Sequence, residues 1–175
     1  IICSDIHFND FKNTSAELMQ MDSFLNSVRN DYKFDLILAG YLDKSILTRN
    51  AKEKDEFFKN RASCTANVSQ LCILSDGKVT ICEELYWDDR FIIGNVNENS
   101  ISEIWNSNRA IELASLSQDN FSDKSACSCC REFYDCRHNL GVCWSNVIMA
   151  YGNSDWDFPD PECPYAPTPP SSIFH

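Results

Sequence analysis

The sequences CTANVSQLCILSDGKVTIC at residues 64–82 and CSCCREFYDCRHNLGVC at residues 127–143 hold eight of the chain's ten cysteines. In the first of them, Cys64 and Cys82 frame a Cys-x12-Gly-x4-Cys pattern around Gly77. The dipeptide Asp-Gly between two short apolar runs is typical of a β-hairpin turn, because glycine accepts the positive φ that the turn requires. Such a hairpin would bring Cys64 and Cys82 toward a common site.

The second stretch spaces its cysteines as Cys127-x2-Cys130-x5-Cys136-x6-Cys143. A two-residue gap lets successive thiolates turn toward one metal centre, as in zinc and iron–sulfur loops. A further cysteine, Cys163, stands between prolines in the sequence DPECP. Because proline restricts the backbone, this cysteine suits a ligand delivered from a tail.

Composition limits the classes of partner. The 175 residues contain 15 Lys and Arg against 26 Asp and Glu, a formal charge of −11, and 43% are hydrophobic. That is enough apolar material for a core in one domain, or in one domain plus a piece of another. Nucleic acid and anionic membranes would repel an acidic chain, and no apolar run approaches the roughly 20 residues of a membrane helix. We therefore expect no nucleic-acid partner and no membrane association.

Cysteine density bears on the cellular compartment. Ten cysteines in 175 residues is below the roughly 8–10% of a disulfide scaffold. Disulfides would indicate an oxidising compartment, whereas thiolates that hold metal would indicate a reducing one. The chain opens with Ile1-Ile2-Cys3, without an initiator Met or the pattern of a signal peptide. We expect a cytoplasmic piece of a longer protein.

The first sixty residues alternate between strand and helix patterns. Thr14 and Glu17 form a capping-box pattern that predicts a helix over about residues 15–30. A similar pattern predicts a second helix over about residues 51–60, and the apolar run at residues 35–40 predicts a buried strand. Strand and helix in alternation indicate an α/β layer.

The rest of the chain is predicted to contain short strands and helices. Beyond the hairpin, residues 90–96 form another strand candidate. Ser100 and Glu103 form a capping box that predicts one helix reaching Ile111. Residues 147–150 belong to a further short helix, and the proline-rich tail at residues 159–170 cannot form regular structure. Hairpin, short strand and helices indicate an α+β fold.

These features together resemble the SPASM domain, the C-terminal extension of many radical S-adenosylmethionine (radical SAM) enzymes. Its pattern is Cys-x9–15-Gly-x4-Cys, then Cys-x2-Cys-x5-Cys-x3-Cys, then a final Cys. The resemblance covers roughly residues 64–165, and it includes the sequences GNV at 94–96 and SISEIWN at 100–106. It implies a hairpin-plus-helix module around two auxiliary [4Fe–4S] clusters. Residues 63–175 would then be the SPASM domain, and residues 1–62 the last α/β units of a partial TIM-like barrel.

The resemblance implies that Cys64, Cys82 and Cys143 bind the first cluster, with Cys72 as a candidate fourth ligand. One departure concerns Leu140, which stands where the family's Cys-x3-Cys would place a ligand. Cys143 is the substitute if the residues between it and the preceding cysteine loop out. Otherwise the first cluster has an open or differently filled position.

For the second cluster the resemblance implies four ligands: Cys127, Cys130, Cys136 and Cys163. Cys129 could compete with Cys130, and His138 is a candidate for a vacant position on iron or zinc. Cys3 is expected to be a small apolar residue.

The resemblance also implies a function. The parent would be a radical SAM enzyme that modifies a peptide or protein side chain, with the clusters serving electron transfer and substrate engagement. Flavodoxin or ferredoxin would be its electron donor. S-adenosylmethionine would bind in an N-terminal part outside this sequence, because the Cys-x3-Cys-x2-Cys pattern that this chemistry needs is absent here. We therefore assign no catalytic residues, and we expect the fragment alone to be inactive.

Two other interpretations fit the cysteines. Thiolate sites accept Zn²⁺ as well as iron–sulfur units, so zinc could replace the clusters in an isolated fragment, or the chain could be a zinc-binding structural or interaction module. The third interpretation is a secreted domain held by disulfides.

Overall fold

The computed structural model describes residues 14–28, 31–33 and 49–169. Helix α1 spans Ser15–Val28 and helix α2 spans Ala51–Asn60, which confirms both predicted helices. Cys3 and the predicted strand at 35–40 lie outside the described residues. The described part of the first sixty residues therefore contains helices without a strand, and it does not support the remnant of a partial TIM-like barrel.

Both helices begin at the predicted capping boxes. In α1 the backbone N–H of Thr14 donates to Glu17 Oε2 at 2.7 Å. In α2 the N–H of Glu53 donates to Asn50 Oδ1 at 3.1 Å, while the N–H of Asn50 donates back to Glu53 Oε2 at 2.8 Å. These bonds satisfy N–H groups that a helix start leaves without intrahelical partners.

A small antiparallel sheet forms the centre of the domain. Its strands are β1 (Cys72–Ile73), β2 (Lys78–Thr80) and β3 (Ile92–Asn95), in the order β1-β2-β3. The turn between the first two has Gly77 at φ +87°, as the Asp-Gly signal predicts. This sheet and the helices around it confirm the α+β class.

The helix predicted after Ser100 is two helices in the structure. Helix α3 spans Ile101–Trp105 and helix α4 spans Asn108–Ala114. The chain breaks at Ser107, whose backbone is extended and whose Oγ accepts the N–H of Ala110 at 3.1 Å. The prediction of one continuous helix was wrong because Ser107 acts as a new N-cap.

The C-terminal half contains the remaining helices. Helix α5 spans Phe133–Asp135 and continues into a π-helix at Cys136–Leu140, and helix α6 spans Trp144–Tyr151 as predicted. Beyond them the described tail holds a 3₁₀ turn at Asn153–Asp155 and irregular chain. Among the described helices, none combines the length and the apolar character needed to cross a membrane.

One apolar core joins the sheet to α6. Each buried aliphatic or aromatic side chain contributes roughly 1.5–3 kcal/mol, so this core is what holds the distant cysteine stretches on one scaffold. Its buried members come from the sheet, the connecting segments and the helices: Val79, Ile81, Leu85, Phe91, Ile93, Ile104, Ala110, Phe121, Phe133, Val142, Trp144, Val147 and Ile148.

Candidate metal centre

Four cysteines that are distant in sequence surround one cavity. Cys127, Cys130, Cys136 and Cys163 all line it. Its volume of about 90 Å³ is several times the roughly 10–15 Å³ that one water molecule needs. The structure therefore brings these four thiols around a space large enough for a group of several atoms. We refer to them as the second cysteine group, because the resemblance assigns them to the second cluster.

Local hydrogen bonds orient the members of this group. Cys127 lies in a 3₁₀ turn whose N-cap, Ser125, accepts the Cys127 N–H at 3.2 Å and donates to the Asp157 carbonyl at 2.7 Å. The N–H of Cys163 donates to the carbonyl of Asp160 at 2.8 Å. The turn is thus held by a serine side chain, and the tail by a backbone hydrogen bond, beside the cavity.

An arginine approaches the thiol of Cys127. Arg137 Nη2 lies 3.8 Å from Cys127 Sγ. Burial raises the pKa of Cys127, and the charge of Arg137 opposes that rise. The pKa of Arg137 is lowered by its own burial. The cavity wall therefore includes a half-buried cation beside a sulfur atom.

Three further thiols lie near one another, two of them from the ends of the stretch at residues 64–82. Cys64, Cys82 and Cys143 are close enough that negative charge on one raises the pKa of another. Burial is the main cause of the raised values, which reach about 11 for Cys82 and about 12 for Cys143. We refer to these three as the first cysteine group.

The chain between residues 136 and 143 does loop out. The π-helix ends at Leu140, and Gly141 has a positive φ of 66°. The N–H of Cys64 donates to the carbonyl of Leu140 at 2.9 Å. A methyl group on Gly141 would lie 3.1 Å from the Cβ of Cys64, so this turn brings Cys64 and Cys143 to the same region.

Cys72 lies beside the first group. It pairs with Thr80 across the sheet, and its thiol donates to Glu83 Oε2 at 3.5 Å. The thiol of Cys82 donates to the same oxygen at 3.8 Å. The carboxylate of Glu83 therefore joins Cys72 to Cys82. From sequence, the acidic run that includes Glu83 is typical of a solvated loop. The only signal for this contact in the sequence is that Glu83 directly follows Cys82.

A buried ion pair lies between the two groups. Arg61 Nη2 and Asp160 Oδ2 are 3.8 Å apart, with side chains only 9% and 1% exposed. Asp160 Oδ2 also accepts the N–H of Cys143 at 3.3 Å, and Arg61 Nη2 donates to the carbonyl of Gly141 at 2.5 Å. Sequence reasoning missed this pair, although Asp160 belongs to the motif around Cys163.

Two other candidate ligands, Cys129 and His138, do not line the cavity. Cys129 is exposed and is not among the residues that line the cavity, and His138 is exposed as well. All nine cysteines in the described ranges are free thiols, so that part of the chain contains no disulfide. Across residues 14–28, 31–33 and 49–169, no three His, Cys, Asp or Glu side chains are close enough to hold a single metal ion.

Comparison with known proteins gives one family. Residues 64–132 match the model of the SPASM family, described as an iron–sulfur cluster-binding domain. The match confirms the resemblance over these residues, and it indicates iron–sulfur cluster binding. No curated protein and no solved structure matches the chain.

Proposed function

We propose that the chain binds two auxiliary [4Fe–4S] clusters as the C-terminal part of a radical SAM enzyme that modifies a peptide or protein side chain. The observation that carries the proposal is the cavity lined by Cys127, Cys130, Cys136 and Cys163. These four residues follow the SPASM spacing, yet Cys163 reaches the others only through the fold. When bound, such clusters take up and release single electrons.

The second cysteine group fits four-thiolate ligation. Burial raises the pKa of Cys127 and Cys136, and it raises the pKa of Cys163 to about 12. Without metal these thiols hold their protons at neutral pH, and binding of iron would release them. Because the thiols surround a space rather than meet at one point, they suit a group of several atoms better than a single zinc ion.

The first cysteine group supplies Cys64, Cys82 and Cys143 to the other cluster in this proposal. Cys72 is the candidate fourth ligand, since it shares the Glu83 carboxylate with Cys82. The loop at Gly141 supports Cys143 as the substitute for the ligand that the family places at position 140. If Cys72 is not a ligand, this cluster has an open position.

The radical chemistry would take place outside these residues. The 175 residues lack Cys-x3-Cys-x2-Cys, so in this proposal the cluster that binds S-adenosylmethionine would be held by residues other than these. The module would engage the peptide or protein substrate and relay electrons from a donor such as flavodoxin or ferredoxin. The family resemblance is the support for these partners.

Anaerobic reconstitution tests the cluster proposal. Iron, sulfide and visible absorption are measured, and two clusters require about eight iron and eight sulfide per chain. Zinc bound without sulfide would instead support the zinc-binding module. A chain that folds fully and binds neither would refute both interpretations.

Single substitutions test the ligand assignment. Cys136→Ala removes a thiol that lines the cavity, so it should reduce the iron content by about four per chain. Cys129→Ala is the matched control, since Cys129 is exposed and lies outside the cavity lining. Equal iron loss in both variants would contradict the assignment. Cys72→Ala then decides whether the first cluster has a fourth cysteine ligand.

A further inference from the structure

The guanidinium of Arg137 is held against the second cysteine group by aromatic rings. The guanidinium carbon of Arg137 lies 4.7 Å from the ring centre of Phe121, 5.4 Å from that of Phe133 and 4.8 Å from that of Trp144. Phe121 and Phe133 are almost fully buried, and Trp144 is 9% exposed. Cation–π contacts of this kind strengthen when the cation is desolvated.

These rings are fixed by their own packing. Phe121 meets Phe133 edge to face with ring centres 5.2 Å apart, and Trp144 lies 5.5 Å from Trp156. Because the rings belong to the apolar core, they leave the guanidinium little freedom to turn away. We call Phe121, Phe133 and Trp144 the aromatic cage.

The open side of the cage faces sulfur. Arg137 follows Cys136 directly in the chain, and its Nη2 points at Cys127 Sγ from 3.8 Å. Its charge stabilises negative charge on both of these thiols. One side chain thus places a fixed positive charge and an N–H donor next to two of the four thiols of this group.

We infer that the positive charge of Arg137 raises the reduction potential of the cluster bound by the second cysteine group. This inference rests on the proposed function. Four thiolate ligands give a cubane cluster a net negative charge, and that charge grows by one when an external one-electron reductant supplies an electron. No bond forms or breaks. A nearby cation therefore stabilises the reduced form more than the oxidised form. Hydrogen bonds to cluster sulfurs and solvent exposure are known determinants of such potentials.

The test uses the reconstituted 175-residue chain and redox titration followed by EPR. Arg137→Met keeps an apolar side chain in the cage but removes the charge. For one cluster, its ratio of reduced to oxidised form at a fixed potential should fall about tenfold, which is about 59 mV for a one-electron couple. The signal of the other cluster should not shift.

Arg137→Lys separates charge from packing. Lysine keeps the positive charge but loses the planar stacking group, so it should restore most of the potential. If Arg137→Met folds, binds both clusters and leaves both potentials unchanged, the inference is wrong. If the potential shifts equally in the Met and Lys variants, the inference is also wrong, because the effect would then come from packing and not from charge.

A measurement on the unsubstituted protein covers the case in which Arg137→Met fails to bind its cluster. With arginine labelled by ¹⁵N in the guanidinium group alone, pulsed EPR of the reduced protein should detect a nitrogen coupled to one cluster, and labelled Arg137→Lys should lose that coupling. An unsubstituted protein without it would overturn the inference. Iron and sulfide analysis comes first, so absence of clusters from the unsubstituted chain would refute the proposed function separately.

Discussion

A change at Asp160 should destabilise the metal-free fold, because this buried carboxylate joins several distant parts of the chain. Its carboxylate is 1% exposed, lies 3.8 Å from Arg61 Nη2, and accepts the N–H groups of Cys143 at 3.3 Å and of Glu162 at 3.1 Å. Asp160→Asn keeps the shape and one acceptor oxygen but removes the charge. Arg61 would then be a buried cation without a negative countercharge.

The expected loss follows from the burial of both partners. Removing one member of a buried ion pair costs about 3–5 kcal/mol, because the remaining charge stays desolvated. Solvent screening reduces this little, since the Arg61 side chain is 9% exposed and its Nε has no hydrogen-bond partner. The amide of asparagine keeps part of the bonding to Cys143. We therefore expect a loss of about 3 kcal/mol in the free energy of unfolding.

Asp157→Asn is the matched control. Asp157 is also buried, at 6% exposure, and its Oδ2 accepts the N–H of Ser122 at 2.7 Å. Within the described ranges it forms no ion pair. The asparagine amide can still accept that bond, so the loss should be about 1 kcal/mol.

The assay is urea unfolding of the metal-free chain, followed by tryptophan fluorescence. A double-mutant cycle with Arg61→Met isolates the pair, because the double variant removes both charges. It should lose at least about 1 kcal/mol less than the sum of the single losses. If the losses add, or if Asp160→Asn costs no more than Asp157→Asn, the explanation by an uncompensated Arg61 is refuted.

Two further predictions concern the turns and the thiols. Gly77→Ala should destabilise the fold more than Gly152→Ala, since both have a φ near +90° but a methyl group on Gly77 would collide with Asn97, while nothing lies within 4 Å of Gly152. Thermal unfolding compares the two, and equal losses would show that backbone strain alone matters. The metal-free chain should also lose stability above about pH 9. Burial raises the pKa of Cys143 from 9.0 to about 12, so between these values the folded chain holds a proton that the unfolded chain has released. The loss approaches about 1.4 kcal/mol per pH unit for each such thiol, and urea unfolding at pH 8, 9, 10 and 11 would contradict this if stability stayed constant.

Local signals predicted the elements of the described chain well. The capping boxes at Thr14 and Asn50 and the turn at Gly77 depend on residues two or three positions apart, so their hydrogen bonds can be foreseen from sequence. The break at Ser107 is also a local signal. It was missed because the apolar spacing continues through it, and a serine N-cap competes with that pattern.

The sequence by itself determined that most cysteines lie in two stretches, one around Gly77 and one that begins with the two-residue gap after Cys127. The division of these thiols into two ligand sets came from the family resemblance. The sequence did not determine where Arg137 points or that Arg61 meets Asp160. Those contacts form only when the apolar core closes around the sheet and α6. Local bonds follow from backbone geometry over one turn, whereas contacts between distant residues depend on the free energy of the whole packed core.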